Sequence, residues 1–182
     1  MTDAERARRY RKLAKKRRRA RNFEWYTPRS LIELAVEVMG GIDCDPASCT
    51  LANEVVGAKV FYDLHADGLK REWHGKIWLN PPYAAVSHFV AKLIDEFAAG
   101  RVTEAIMLTS NSSDSAWFQK ASAWASAICF PARRIKFVSP HGLAPALPPT
   151  GQAVFYRGPH ALQFGDVFAP IGRIVAGGLS ES

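Results

Sequence analysis

Residues 76 to 93, KIWLNPPYAAVSHFVAKL, set the strongest constraint on how this chain can fold. Lys-Ile-Trp-Leu reads as a short apolar strand. The two prolines that follow it end the ladder, because proline has no amide hydrogen to give and holds φ at about −65°. From Val86 onward, Phe89, Val90, Leu93 and Phe97 recur on one helical face, and Gly100 closes the helix. The chain therefore passes from a strand through a rigid turn into an amphipathic helix.

The flanking sequence repeats this alternation. In NFEWYTPRSLIELAVEVMGG, Thr27 is a natural N-cap, Pro28 suits the first helical position, and Leu31, Leu34, Ala35 and Val38 mark a face that ends at Gly40 and Gly41. Ile42 to Cys44 reads as a short strand stopping at Asp45-Pro46, whose side chains enter a loop. AKVFYD is a second extended piece, followed by a turn at Asp67-Gly68. EAIMLT is a buried strand, Asp114 is placed to cap a helix through Trp117 and Phe118, and SAICF and QAVFY are further strands. A long Pro- and Gly-rich loop, SPHGLAPALPPTG, interrupts them. Strands alternating with helices predict an α/β sheet covered by helices on both faces. Ligands of such sheets sit beyond the carboxyl ends of the strands, so the loops after IDC and KIWL share the functional edge.

With 182 residues the chain suits one globular domain, or one domain with an appendage. No apolar run reaches the ~18 residues of a membrane span, and the amino terminus lacks the apolar stretch of a secretory signal. The expectation is a soluble cytoplasmic protein with no membrane partner. Cys44, Cys49 and Cys129 are odd in number and lack CxxC spacing, which predicts reduced, packed thiols. Grouping Cys44 and Cys49 with His65 or His74 fits no common zinc module, and no metal site is expected.

Charge divides the chain. Residues 1–22 carry 11 of the 24 Lys and Arg against Asp3 and Glu5, a local net charge of +9, while the remaining 160 residues sum to −2. The segment RARRYRKLAKKRRRAR has too little apolar surface to offset the entropy of ordering it. We therefore expect a basic tail over 1–22 and a folded domain over 23–182. Such a cluster suits nucleic-acid phosphates, since each cation that neutralises one releases a counterion. A solubilising extension is the alternative; an anionic membrane fits less well because no apolar face accompanies the charges.

Asn80-Pro81-Pro82-Tyr83 carries the chemistry. The prolines leave rigid carbonyl acceptors with no neighbouring amide to compete for them. An asparagine oxygen beside such a carbonyl can take both hydrogens of an exocyclic amine, and the tyrosine offers a ring on which a base stacks. This pattern suits methyl transfer to N6 of adenine, a poor nucleophile whose lone pair is freed when two acceptors draw the nitrogen toward tetrahedral geometry. The N4 amine of cytosine, adenine in RNA and a protein glutamine amide present the same NH2 group. A non-catalytic nucleic-acid-binding module with a decayed fold is the reading from another class.

EWYTP, IDCDPAS, DGL, WLNPPY, SNSSDSAWF, CFPARRIKF and GQAVFY occur in the order found in phage-type, Dam-like DNA N6-adenine methyltransferases, which the chain resembles over about residues 23 to 175. The resemblance implies a compact Rossmann-like sheet, S-adenosylmethionine as methyl donor, double-stranded DNA as substrate with the basic tail on its phosphates, and no obligate protein partner. It implies Asn80 and the Pro81 carbonyl gripping N6, with Pro82 completing the motif and Tyr83 stacking. Tyr26, Thr27 and Pro28 resemble the segment contacting the methionine part of the cofactor. Asp45, Pro46 and Ala47 match its acidic loop, and Asp67 resembles the carboxylate near its adenine. The motif order is similar to the γ class, and the family suggests protection of phage or host DNA from restriction. DPASCTLAN contains no glycine where larger methyltransferases have several, which leaves Asp45 open to the methionine amino group or the ribose hydroxyls. Only 35 positions separate Asp45 from Asn80, so the first half of the sheet must be abbreviated.

Structural roles compete for several of these residues. Asp43 and Asp45 suit turn capping, and Trp25 and Tyr26 suit a core staple. Ser110, Asn111 and Asp114 are candidates for DNA or cofactor contact. Arg133, Arg134 and Lys136 suit phosphate or a solvated edge. The histidines show no convergent spacing. Residues 110–118 and 139–151 are the candidates for sequence recognition.

Overall fold

The computed structural model describes residues 26–138, 148 and 150–177. The basic tail, Trp25 and most of the loop 139–151 lie outside the described residues. The strands are β1 (Cys44–Asp45), β2 (Val60–Phe61), β3 (Gly75–Leu79), β4 (Val102–Ser110), β5 (Ala127–Pro131), β6 (Gln152–Arg157) and β7 (Gly172–Ala176). They form one sheet in the order β2-β1-β3-β4-β6-β5-β7. The first four run parallel, β6 is antiparallel to β4 and β5, and β7 is antiparallel to β5. The helices are α1 (Arg29–Met39), α2 (Thr50–Val56), α3 (Val86–Ala98), α4 (Ala116–Trp124) and α5 (Ala161–Phe168).

Side-chain alternation along the strands builds two cores. Trp78, Ile106, Leu108, Ala127, Cys129, Val154 and Tyr156 face α1 and α5, where they meet Leu31, Ile32, Val38, Phe164 and Phe168. Their neighbours Ile77, Leu79, Ala105, Met107, Ile128, Ala153 and Phe155 face α3 and α4, against Phe89, Val90, Leu93 and Phe118. Each large apolar side chain withdrawn from water contributes roughly 1.5–3 kcal/mol, so both faces must be covered before the sheet is stable. This is the doubly covered α/β sheet that the alternation of strands and helices predicts. Phe164 stacks between Tyr156 and Phe168, with ring centroids 5.0 and 4.4 Å away, which fixes α5 to the sheet.

Local details differ from expectation in ways that bear on the site. Helix α1 starts at Arg29 with Pro28 as its cap residue, and no side chain caps it. Thr27 is thus not a cap; its hydroxyl is engaged elsewhere. Strand β1 is Cys44–Asp45 rather than 42–44, so Asp45 is part of the ladder. Asp114 does not cap α4, whose cap residue is Ser115, and its side chain makes no capping bond. The segment Ala161–Ala176 adds a helix and an edge strand to which the sequence reading assigns no element: Phe164 and Phe168 are buried on one face of the helix, and β7 is mostly exposed.

The connectivity creates a crevice. After β1 the chain passes through α2 to β2 on one side, then crosses to β3 on the other. The order of strands reverses between β1 and β3, and ligands of open α/β sheets bind beyond the carboxyl ends of strands at such a point. Asp45 ends β1 and Asn80 follows the last residue of β3. Among the described residues, no helix is long and apolar enough to cross a membrane.

Candidate active site

Three segments distant in sequence meet at this crevice, and Tyr26-Thr27 joins two of them. Asn80 directs its amide NH2 to the Thr27 hydroxyl at 3.4 Å, and Thr27 is buried. The adjacent Tyr26 hydroxyl accepts the Cys49 thiol at 3.3 Å, just beyond the DPAS loop. The third segment reaches the same loop through Gly68: a Cβ there would sit 2.0 Å from the Pro46 carbonyl oxygen, so only glycine permits the approach. The buried indole of Trp73 donates to the Gly68 carbonyl at 2.8 Å and holds the turn in place. Asp67, immediately before it, is the one described non-glycine residue with positive φ, at 52°, and pairs with Lys70 at 3.0 Å.

The geometry of Asn80-Pro81-Pro82-Tyr83 follows from its prolines. Pro81 is buried, Pro82 is exposed and extended, and Tyr83 opens a short 3-10 turn leading into α3. Pro82 has no amide hydrogen, and among the described residues no donor reaches the Pro81 carbonyl. Because the NH2 of Asn80 is turned to Thr27, its amide oxygen is left for another donor. Two oxygen acceptors on a rigid turn therefore stand at the mouth of the crevice. Tyr83 is 49% exposed beside them, and partial burial raises its phenol above the ordinary value.

Asp45 is the other polar centre. It is 3% exposed, and its carboxylate accepts the Ala47 amide at 3.2 Å. Burial pushes its carboxyl up to about 6, with the Ala47 amide acting in the opposite direction. A buried carboxylate held so lightly has lone pairs left for a donor from outside the protein. Asp43, by contrast, is structural: it accepts the Lys59 ammonium at 2.7 Å and the Lys76 amide at 2.9 Å, fastening β1 to its neighbours. The side-chain bond from Lys59 leads the effects that hold its carboxyl below the usual range. Burial pushes the Cys44 thiol up to about 12 and the Cys129 thiol up to about 11, which removes both as nucleophiles at neutral pH.

The residues singled out in the sequence thus converge: Tyr26, Thr27 and Pro28 before α1, Asp45 at the end of β1 with Pro46 and Ala47 after it, Asp67 before the Gly68 turn, and Asn80 to Tyr83 after β3. Two supports were not anticipated. Gly68 reads in sequence only as part of a turn, and the approach to Pro46 that makes it necessary is a tertiary contact. The Thr27 hydroxyl reads as a cap and instead serves Asn80.

The burial of Asp45 has a pH-dependent consequence. A carboxyl with a raised folded-state pKa stabilises the fold below its unfolded value, and this contribution is lost as pH rises through the folded value. Displacement from 3.8 to about 6 corresponds to roughly 3 kcal/mol. Asp45→Asn is therefore expected to be more stable than the parent by about 2–3 kcal/mol in ligand-free protein at pH 8, with the gap closing below about pH 4. Urea unfolding across this range checks it, and a pH-independent gap would contradict the burial argument.

Over 100 residues the chain is 35% identical to a DNA N-6-adenine-methyltransferase of Escherichia phage T1, an alignment covering 53% of this chain and 40% of that protein, so the chain spans well under half of its relative. A crystal structure of 23S rRNA methyltransferase ErmE superposes with a TM-score of 0.41 at 14% identity, covering 75% of this chain and 71% of that one. The family model for DNA N-6-adenine-methyltransferase (Dam) matches residues 14–146, which include every residue gathered at the crevice, and the chain belongs to that family.

Proposed function

We propose that the chain transfers a methyl group from S-adenosylmethionine to the N6 amine of an adenine turned out of double-stranded DNA. The observation that carries this reading is the polarity of the Asn80 amide. With its NH2 held toward Thr27, the side chain offers only an oxygen to the substrate, beside the free carbonyl of Pro81. A pair of acceptors matches a group with two hydrogens and no acceptor of its own, as an exocyclic amine has once its lone pair is delocalised.

The crevice suits the cofactor as well. The buried Asp45 carboxylate needs donors, and the ligand's ammonium and ribose hydroxyls are donors. We assign Tyr26, Thr27 and Pro28, Pro46 and Ala47, and Asp67 beside the Gly68 turn to the same cofactor site, a reading supported by the Thr27–Asn80 and Tyr26–Cys49 hydrogen bonds and the close approach of Gly68 to Pro46. S-adenosylmethionine, when bound, supplies an electrophilic methyl group.

The protein's own contribution is positioning. Asn80 Oδ1 and the Pro81 carbonyl each accept one N6 hydrogen, which draws the nitrogen toward tetrahedral geometry and directs its lone pair into the crevice. Pro82 keeps the turn rigid, and the half-exposed Tyr83 ring supports the base by stacking. As the N–C bond forms, the methyl group's bond to sulfur breaks and its electron pair stays on the sulfur, which leaves as a neutral thioether; the nitrogen gains positive charge that the two oxygens stabilise, and one N6 proton then leaves to solvent. A paired, stacked base cannot satisfy this geometry, so the adenine must be extrahelical. In this reading the basic segment 1–22 supplies phosphate contacts. The setting we assign is the cytoplasm of a bacterial host, with methylation marking DNA against restriction.

Nucleoside mass spectrometry of unmethylated DNA incubated with the protein and S-adenosylmethionine tests the reading. N6-methyladenine is expected, reduced at least ~100-fold by Asn80→Ala while cofactor binding is retained. N4-methylcytosine instead would reassign the substrate, and no methylated base in DNA of varied sequence would overturn the proposal. Tyr83→Phe should keep most activity, whereas Tyr83→Ala should lose about 10- to 100-fold, the stacking of one base. Equal rates for the two variants would contradict stacking.

A further inference from the structure

We propose that Arg133, Arg134 and Lys136 form a phosphate-binding strip that seats the DNA backbone beside the catalytic turn; the inference rests on the DNA-methyltransferase reading above. The strip follows β5, whose carboxyl end lies on the same sheet edge as those of β3 and β4. Residues 132–138 lack regular structure apart from the bridge residues Phe137 and Val138, yet the backbone is tied down along its length. Ala132 N–H donates to the Ile171 carbonyl at 2.9 Å, and Ile135 N–H donates to the side-chain oxygen of buried Gln152 at 2.9 Å. Val138 and Tyr26 exchange two backbone bonds of 2.9 Å each, and Phe137 is buried in the core beneath α1.

These ties give the strip a defined position relative to the chemistry. Tyr26 is bonded to Val138, and the next residue, Thr27, is bonded to Asn80. Lys136 is thus two residues from a segment directly attached to the catalytic asparagine. The alternation from Lys136 through Phe137 to Val138 turns Phe137 inward and leaves Lys136 in solvent, where Arg133 and Arg134 also stand.

Most other described cations are already engaged. Lys59, Lys70, Lys92 and Arg101 are in ion pairs. Arg71, Lys76 and Arg157 donate to backbone carbonyls. Arg133 and Lys136 have no carboxylate within ion-pair distance among the described residues, and Arg134 reaches only the Pro148 carbonyl at 3.3 Å. Exposed Arg29, at the start of α1 next to Pro28, extends the cationic edge along the Thr27 side. Three neighbouring cations on a pinned backbone, without acidic partners and coupled to the catalytic residue, are suited to phosphate oxygens flanking an extrahelical base.

The test is the salt dependence of duplex binding by the full chain, read by fluorescence anisotropy on a labelled duplex of mixed sequence. Each phosphate contact contributes about 0.9 to the slope of log K against log salt. The double variant Arg133→Gln, Lys136→Gln should lower that slope by about 2, with thermal midpoint and S-adenosylmethionine affinity unchanged. The charge-conserving pair Arg133→Lys, Lys136→Arg should restore it. Lys120→Gln, an exposed cation on α4 across the sheet, should leave the slope unaltered. A wild-type slope in the double variant, or an equal fall for Lys120→Gln, would overturn the strip. If the parent chain neither binds nor methylates DNA, the underlying reading fails; if it does both and the double variant keeps its slope, the strip alone fails.

Discussion

The hydrogen bond from the Asn80 amide to the Thr27 hydroxyl is the contact on which the account of this protein depends. An asparagine amide has two faces of opposite polarity, and rotation by half a turn exchanges donor for acceptor. Thr27 holds the donor side, so the side offered to substrate is the acceptor. Thr27 is buried, and its hydroxyl, which must find a partner out of water, takes the Asn80 NH2. Once the amide is fixed, the carbonyl freed by the Pro81-Pro82 pair supplies a second acceptor, and the turn can hold an amine by both hydrogens.

Everything around that contact serves to bring it about. The reversal of strand order between β1 and β3 opens a crevice, and the prolines stop β3 at its rim. Tyr26 and Thr27 act as a hinge pin across it, reaching Asn80 on one side, Cys49 on another and Val138 through the backbone. The site also carries a thermodynamic burden. Asp45 is buried as an anion at neutral pH with few donors, which opposes folding until a ligand supplies more. Binding of a donor-rich ligand would relieve that burden, so stability and ligand occupancy are linked at one carboxylate.

Much of this was legible in the sequence because it depends on local chemistry. KIWLNPPY announces both the strand and its stop, and the spacing of Phe89, Val90, Leu93 and Phe97 announces the helix behind it. The short interval from Asp45 to Asn80 foretold an abbreviated first half of the sheet, realised as two-residue strands β1 and β2. What escaped the sequence is set by contacts between distant segments. Thr27 looks like a cap because threonine before Pro-Arg usually is one, and only the arrival of Asn80 from β3 redirects its hydroxyl. Gly68 is a turn residue until Pro46 lies against it. Helix α5 packs an apolar face of Ala161, Phe164, Val167 and Phe168 on the core and is fixed there by the Tyr156, Phe164 and Phe168 ring stack, and β7 exists because β5 presents an edge.

The central claim is that Thr27 acts through Asn80, setting the polarity of its amide. A hydrogen bond of this kind is worth about 0.5–1.5 kcal/mol, enough to bias the two amide orientations by up to roughly tenfold. The direct test is steady-state and single-turnover methylation by Thr27→Val and Thr27→Ser. The account predicts that valine lowers kcat by up to about tenfold and that serine restores most of the rate. A valine variant with full kcat, or one whose defect lies wholly in the cofactor KM, would contradict it.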